Sequence, residues 1–226
     1  MQELLLSLFV FIILHLVPAL GSVRKRLISA GGKFGYIVGY SLLSVALLVW
    51  VGLAYGRADT DLIWSQEPWM RWVTIILMYP ACALLVGALT QANPLSVGVK
   101  AASFDPQKPA IVSVTRHPLI WALILWSVAH MVPNGDTASL VLFGLFTALG
   151  LVGPKSLDLK KRRQLGEEAW TNLAGPTSSF PFLAVLSGRT KLDWRNIVLG
   201  PGLGGLVLYA LLIGGHFEAI GVSPFP

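Results

Sequence analysis

Long apolar stretches separated by short polar segments dominate the pattern of hydrophobic and polar positions along the chain. Six of them are apolar enough to form helices in lipid, where one crossing takes about 20 residues. They are residues 3–20, 35–56, 69–89, 118–132, 137–153 and 197–215. The pattern predicts an all-α bundle of about six transmembrane helices, organised as a single domain over residues 1–226, with a short interfacial helix at GEEAW (166–170).

The fourth and fifth stretches are the shortest and are joined by the segment PNGD at positions 133–136. Proline and glycine interrupt a helix, and Asp136 can cap the helix that follows. We therefore predict a tight antiparallel helical hairpin here.

Basic residues are concentrated in the segments that follow the first, third and fifth stretches. Of the 17 lysines and arginines, only Arg57 and Arg71 lie elsewhere. By the positive-inside rule these three segments face the cytoplasm and both termini lie outside. The N-terminus has no basic region and no small-residue cleavage site, so we expect its apolar stretch to be retained. The run KKRR (160–163) is expected mainly to face anionic lipid.

The composition supports a membrane protein whose partner is the lipid bilayer. The 226 residues are 54% hydrophobic and 12% charged, with eight tryptophans, whereas soluble domains carry about 25% charged residues. The single cysteine, Cys82, excludes an internal disulfide and is expected to be a packing residue. No glycine-rich phosphate loop, zinc-type cysteine pattern or nucleic-acid motif is present.

Two histidines fall inside apolar stretches, where a polar side chain is costly and usually faces a partner or a cavity. His15 lies in the first stretch and His130 in the fourth, while His117 opens the fourth and His216 follows the sixth. A neutral imidazole carries one donor and one acceptor. Each histidine could bond a neighbouring carbonyl or serine, or two of them could together ligate a metal or a haem.

Helix geometry limits which histidines could share an iron. His117 and His130 would point to nearly opposite faces about 20 Å apart, so they cannot easily ligate one metal. His15 lies at a depth of roughly 10 Å from either, which leaves both pairings open. His130 is more deeply embedded and needs a partner more, whereas water could satisfy His117 beside Arg116 at the cytoplasmic boundary.

A haem here would be non-covalent, because no C-x-x-C-H motif is present. Axial imidazoles are a common way to hold haem iron. The propionates would need cationic partners at a suitable depth, and the candidates are Arg24, Arg26 and Arg116.

Several motifs together resemble the NnrU family of bacterial membrane proteins and the related zeta-carotene isomerases of plants and cyanobacteria, over about residues 1–190. They are HLVPALGSVR from His15, MYP (78–80), NP (93–94), TRHP…LW..AH…NGD (115–136), LDLKKRRQLGEEAW (157–170) and TSSFPF (177–182). The resemblance to the isomerase branch implies haem b held by His15 and His130 as metal ligands, with Arg116 and His117 as further candidate cofactor-binding residues. That branch has a cysteine where this chain has Ser127, which argues against a thiolate redox switch.

NnrU proteins are associated with nitrite and nitric oxide reduction, and the NGD form of the turn places this chain on their side, in the bacterial inner membrane with both termini periplasmic. We therefore expect isomerase- or redox-type chemistry on a lipophilic molecule, or a supporting role in denitrification. Whether the protein is an enzyme stays open at this point.

Three alternatives remain. One is a non-enzymatic accessory protein for a reductase, and another is a bundle without cofactor whose histidines are satisfied by hydrogen bonds. The third is an S-adenosylmethionine-dependent methyltransferase, because the RHP start of the fourth stretch is similar to isoprenylcysteine and phospholipid methyltransferases. Its site would use Arg116, His117, Glu167 and Glu168, but Ile120 stands where that family usually has an aromatic residue.

Overall fold

The computed structural model describes residues 1–17, 20–96 and 104–226, and the regular elements in these ranges are helical. This confirms the predicted all-α fold. The α-helices are α1 (Gln2–Leu16), α2 (Gly21–Gly56), α3 (Pro68–Thr90), α4 (Pro118–Met131), α5 (Thr137–Leu165), α6 (Glu167–Ala174), α7 (Leu183–Leu186), α8 (Trp194–Ile197), α9 (Leu203–Gly214) and α10 (His216–Ile220). A 3₁₀ turn at Ala110–Ser113 and a π-helical turn at Val198–Gly202 complete the set for these ranges. Lys100, counted above in a basic segment, lies outside the described residues, as do positions 18–19 of the first stretch.

Within the described ranges, four helical runs are long and apolar enough to cross a membrane: α2, α3, α5 and Trp194–Gly214, which combines α8, the π-helical turn and α9. Helices α1 and α4 are apolar but shorter. Each of the six predicted stretches therefore corresponds to an apolar helical run.

The second helix begins earlier than predicted, at Gly21 instead of position 35. The basic segment from Arg24 to Lys33, expected to be a loop, is therefore helical. The helix is interrupted at Gly32, whose φ of 71° and ψ of 167° are open to glycine and strained for other residues. The apolar pattern missed this start because the first turns of α2 are polar.

The fifth helix continues to Leu165, beyond the predicted end at position 153. The KKRR run therefore lies in the last turns of α5, where positive charge interacts favourably with the helix dipole. Gly166, with φ of 82°, then separates it from α6, which is the predicted interfacial helix.

Residue contacts divide the chain into two compact units, Met1–Ser65 with Gly135–Leu142, and Gln66–Asn134 with Phe143–Pro226. In the first unit α1 packs on α2, and Leu4, Leu8 and Val51 of these helices are buried. In the second unit α3 packs on both α4 and α9. A Cβ built on Gly205 of α9 would lie 2.5 Å from the Ala83 Cα of α3, so this glycine permits close helix packing. The single domain over residues 1–226 stays a prediction.

The helical hairpin of α4 and α5 is antiparallel, as predicted. Thr147 Oγ1 donates to Ser127 Oγ at 2.9 Å, and a Cβ built on Gly150 would lie 2.5 Å from Ile124 Cγ1. A later position in α5 therefore contacts an earlier position in α4, which is the arrangement of an antiparallel pair. Asp136 caps α5, because its Oδ1 accepts the backbone N–H of Ser139 at 2.9 Å.

Candidate functional site

His130 lies in the last turn of α4 with one ring nitrogen engaged. Its Nδ1 is 2.8 Å from the carbonyl oxygen of Trp126. A carbonyl oxygen can only accept, so Nδ1 donates and the neutral ring keeps its lone pair on Nε2. Among the described residues Nε2 has no hydrogen-bond partner. This tautomer is the one that metal-ligating histidines commonly adopt.

Aromatic rings surround His130 within the second unit. Phe143 stacks on its ring with centroids 5.5 Å apart, and Trp126 lies tilted at 5.4 Å. Trp126 also meets Phe146 edge to face at 5.9 Å, whereas Tyr79 faces Tyr209 of α9. The sequence reading missed Phe143, although its spacing of three from Phe146 puts both rings on one helix face.

His15 lies in the last turn of α1 and is half-buried in the first unit. Phe11 stacks on its ring with centroids 5.2 Å apart, and Tyr40 of α2 lies tilted at 5.3 Å. Its Nδ1 is 3.4 Å from Ser44 Oγ, and the Tyr40 hydroxyl donates to its backbone carbonyl at 3.0 Å. Its Nε2 likewise has no partner within the described ranges. Sequence reasoning missed Tyr40 and Ser44: their spacing of four puts them on one face of α2, but no local pattern points from that face to His15.

The two histidines belong to different compact units, His15 to the first and His130 to the second. Each is described within its own unit, and their pairing on one iron stays a prediction. Each imidazole has an Nε2 that could ligate iron, and imidazole nitrogens are the kind of donor that a b-type haem would need. No group of three or more His, Cys, Asp or Glu side chains that could hold a metal ion occurs in the described part of the chain, but a haem iron needs only two.

His117 is fully buried, so the expectation that water satisfies it is wrong. Its Nδ1 lies 3.0 Å from Ser96 Oγ and its Nε2 lies 2.9 Å from Asp158 Oδ1. A carboxylate only accepts, so Nε2 donates to Asp158, and in the neutral ring Nδ1 accepts from the Ser96 hydroxyl. Both ring nitrogens are therefore engaged, and a cofactor-binding role for His117 stays a prediction without a supporting contact.

Arg116, the residue before His117, also contacts Asp158. Its guanidinium pairs with Asp158 Oδ2 at 3.0 Å, donates to Ser179 Oγ at 3.2 Å, and lies 5.5 Å from the centroid of the Trp170 ring. Asp158 Oδ2 also accepts from Ser179 Oγ at 3.0 Å. We call Ser96, Arg116, His117, Asp158 and Ser179 the Asp158 network. Arg116 as a haem propionate partner stays a prediction, since its donors already serve the protein.

Sequence reasoning missed Asp158 because the predicted stretch ended at position 153. A usable signal was present, since Asp158 is the acidic residue between Lys155 and Lys160. The two glutamates of GEEAW behave more simply. Glu167 pairs with Arg162 on the surface, and the hydrogen bond from Arg162 lowers the pKa of the Glu167 carboxyl.

Comparison with known proteins gives two matches. A family model described as NnrU protein matches residues 3–224. The chain is also similar to 15-cis-zeta-carotene isomerase, chloroplastic, of Arabidopsis thaliana, with 25% identity over 228 aligned residues that cover 95% of this chain and 58% of the relative. The chain thus spans less than two thirds of that relative's length. No solved structure matches.

Proposed function

This chain belongs to the NnrU family, and from that membership we propose that it binds one b-type haem through His15 and His130 and carries out isomerase-type chemistry on a lipophilic polyene. We further propose the bacterial inner membrane as its location, with both termini periplasmic. The similarity to a zeta-carotene isomerase over 95% of the chain supports the substrate class. The distribution of lysine and arginine supports the orientation.

The observation that carries the cofactor proposal is the tautomer of His130. Its Nδ1–H is committed to the Trp126 carbonyl at 2.8 Å, which presents the lone pair of Nε2 as a ligand. A histidine kept only to satisfy the bundle would be expected to use both nitrogens, because unpaired polar atoms in hydrocarbon are costly.

The protein's own groups would orient the ligands and exclude water. The Trp126 carbonyl fixes the rotation of the His130 ring, while Phe143 and Trp126 cover its faces. Phe11 and Tyr40 likewise cover the faces of the His15 ring. When bound, the haem iron would supply a redox or Lewis-acid centre. Interconverting the cis and trans forms of a double bond rotates the chain about that bond and exchanges no atoms, so no acid–base pair is needed.

The test is the absorption spectrum of the purified full-length protein after haem reconstitution. We expect a Soret band that is lost in His15→Gly and His130→Gly and partly restored by added imidazole. His117→Phe serves as the control and should keep the band in its folded fraction.

His216 is the rival partner of His130, since it shares the second unit and its Nδ1 already bonds the Val222 carbonyl at 2.7 Å. Loss of the band in His216→Ala with His15→Gly unaffected would overturn the proposed pair.

Turnover is tested separately by incubating the haem-loaded protein with a poly-cis carotenoid and measuring the isomer composition. We expect isomerisation that depends on His15 and His130. Haem binding with an unchanged isomer composition would contradict the isomerase part. A growth defect of a deletion strain on nitrite would then support the accessory role in denitrification.

A further inference from the structure

Ser44 of α2 lies beside the ring of His15, the proposed ligand in the first unit. Its Oγ is 3.4 Å from His15 Nδ1, and among the described residues this hydroxyl is the one hydrogen-bond partner of the ring. Both side chains are partly buried. The position of the proton on the His15 ring is therefore coupled to the direction of the Ser44 hydroxyl.

A hydroxyl partner allows two arrangements of the His15 ring. In the first, Nδ1–H donates to Ser44 Oγ and the lone pair of the neutral ring lies on Nε2. In the second, the Ser44 O–H donates to Nδ1, and the proton lies on Nε2, which then cannot ligate a metal. His130 has no such choice, because the Trp126 carbonyl only accepts. The tautomer of His15 thus depends on a serine outside the motifs that indicate the family.

The supply of hydrogen-bond acceptors favours the first arrangement. In the second, Nε2–H would face no acceptor within the described ranges, and a ring N–H cannot turn toward another one. An N–H group without an acceptor in apolar surroundings is costly. In the first arrangement the hydrogen left over belongs to the Ser44 hydroxyl, which rotates about its Cβ–Oγ bond. The arrangement with the better use of its donors is also the one that leaves Nε2 ready to ligate.

We propose that Ser44 is a positioning residue for His15: its Oγ accepts Nδ1–H and so keeps the lone pair on Nε2 for the iron. The inference rests on the proposed function for the identity of the metal, and it adds a residue of α2 to the site. The contact of 3.4 Å is long beside the 2.8 Å at His130. His15 is therefore held less firmly than His130, and its tautomer responds to a change at position 44.

Two control positions lie on the same helix. Tyr40 also bonds His15, but its hydroxyl donates to the backbone carbonyl at 3.0 Å and does not engage a ring nitrogen. Tyr40→Phe thus removes a bond between α1 and α2 and leaves the Ser44 hydroxyl in place. Ser41 is exposed, and no hydrogen bond joins it to a histidine in the described part of the chain. Ser41→Ala therefore repeats the chemical change of Ser44→Ala away from the ring.

The first measurement is nitrogen-15 NMR of full-length, haem-free protein labelled at histidine in nanodiscs, with the His15 signals assigned by their loss in His15→Gly. We expect the proton on Nδ1 in the wild type, Ser44→Thr, Tyr40→Phe and Ser41→Ala. In Ser44→Ala the proton should shift toward Nε2, because Nδ1–H has lost its acceptor. A wild-type proton on Nε2, or the same tautomer in Ser44→Ala as in the wild type, would overturn the proposal.

The second measurement is haem affinity and the midpoint reduction potential of the loaded protein. Loss of a partner behind a ligating histidine typically costs 10- to 100-fold in metal affinity, so Ser44→Ala should bind haem about tenfold more weakly. Its potential should rise, because the lost hydrogen bond makes the imidazole a weaker donor. Ser44→Thr should stay within about threefold of the wild type. An affinity of Ser44→Ala within that range, or an equal loss in Ser41→Ala, would contradict the assignment.

The two measurements separate this inference from the proposed function. A wild type that binds no haem, or one that keeps its full affinity in His15→Gly, would contradict the proposed function. The tautomer of His15 in haem-free protein would then still decide whether Ser44 controls the ring. If haem binds through His15 and His130 while Ser44→Ala changes neither tautomer nor potential, the positioning role of Ser44 fails alone.

Discussion

His117 and His130 stand at opposite ends of α4 and use their ring nitrogens in different ways. His117 is fully buried, and Ser96 and Asp158 engage its two nitrogens. His130 is partly exposed, gives one nitrogen to the Trp126 carbonyl and keeps the other without a partner in the described residues. Burial is therefore a poor guide to which histidine can bind a ligand. A ring nitrogen that is left without a partner is a better guide.

The surroundings differ in the same direction. The Asp158 network joins α4 and α5 to the segment around Ser179 through charged hydrogen bonds, so His117 contributes to stability. His130 is surrounded by aromatic rings that would accept a flat apolar ligand but offer no second hydrogen bond. One substitution applied to both histidines separates these roles.

The largest effect is expected for His117→Phe. The substitution leaves the buried Ser96 hydroxyl without its His117 partner. It also removes the hydrogen bond that the charged Asp158 carboxylate accepts from His117. We expect the free energy of unfolding to fall by about 3 kcal/mol, measured by titration with sodium dodecyl sulfate in mixed micelles. The position of any Soret band should not change. A fall below about 1 kcal/mol would show that the network contributes little.

Asp158→Asn should have the next largest effect. The amide keeps the shape of the side chain but loses the ion pair with Arg116, whose side chain is 15% exposed. We expect a loss of about 2 kcal/mol in the same assay. Glu167→Gln is the matched control, because Glu167 also pairs with an arginine but both side chains are more than half exposed; its unfolding curve should match that of the wild type. Equal effects of the two substitutions would contradict a special role for the partly buried Asp158 carboxylate.

His130→Phe should have the smallest effect on stability and the clearest effect on binding. It keeps an aromatic ring between Phe143 and Trp126 and loses one hydrogen bond to a backbone carbonyl. We expect a loss of about 1 kcal/mol at most, together with loss of the Soret band. A destabilisation as large as that of His117→Phe would show that His130, like His117, mainly stabilises the fold.

The sequence predicted those parts of the fold that depend on local pattern. The α4–α5 hairpin followed from apolar stretches around PNGD, and Asp136 caps α5 as proposed. The early start of α2 was missed, because Gly21 to Gly31 are helical without a long apolar run. Partners that are far apart in sequence were missed too. Asp158 lies 41 positions from His117, and Tyr40 lies 25 positions from His15, so no local pattern could pair them.

In the part of the chain that the structure describes, the two helices that carry the proposed ligands are also the two apolar helices that fall short of an ordinary bilayer. Helix α1 has 15 residues and α4 has 14, which at 1.5 Å per residue gives roughly 20 Å against a hydrocarbon thickness of about 30 Å. Such hydrophobic mismatch is relieved by local thinning of the lipid around the short helices. Lipids with short acyl chains should therefore match each of these two helices better than long-chain lipids, and beside each helix the headgroup region should be drawn toward its histidine.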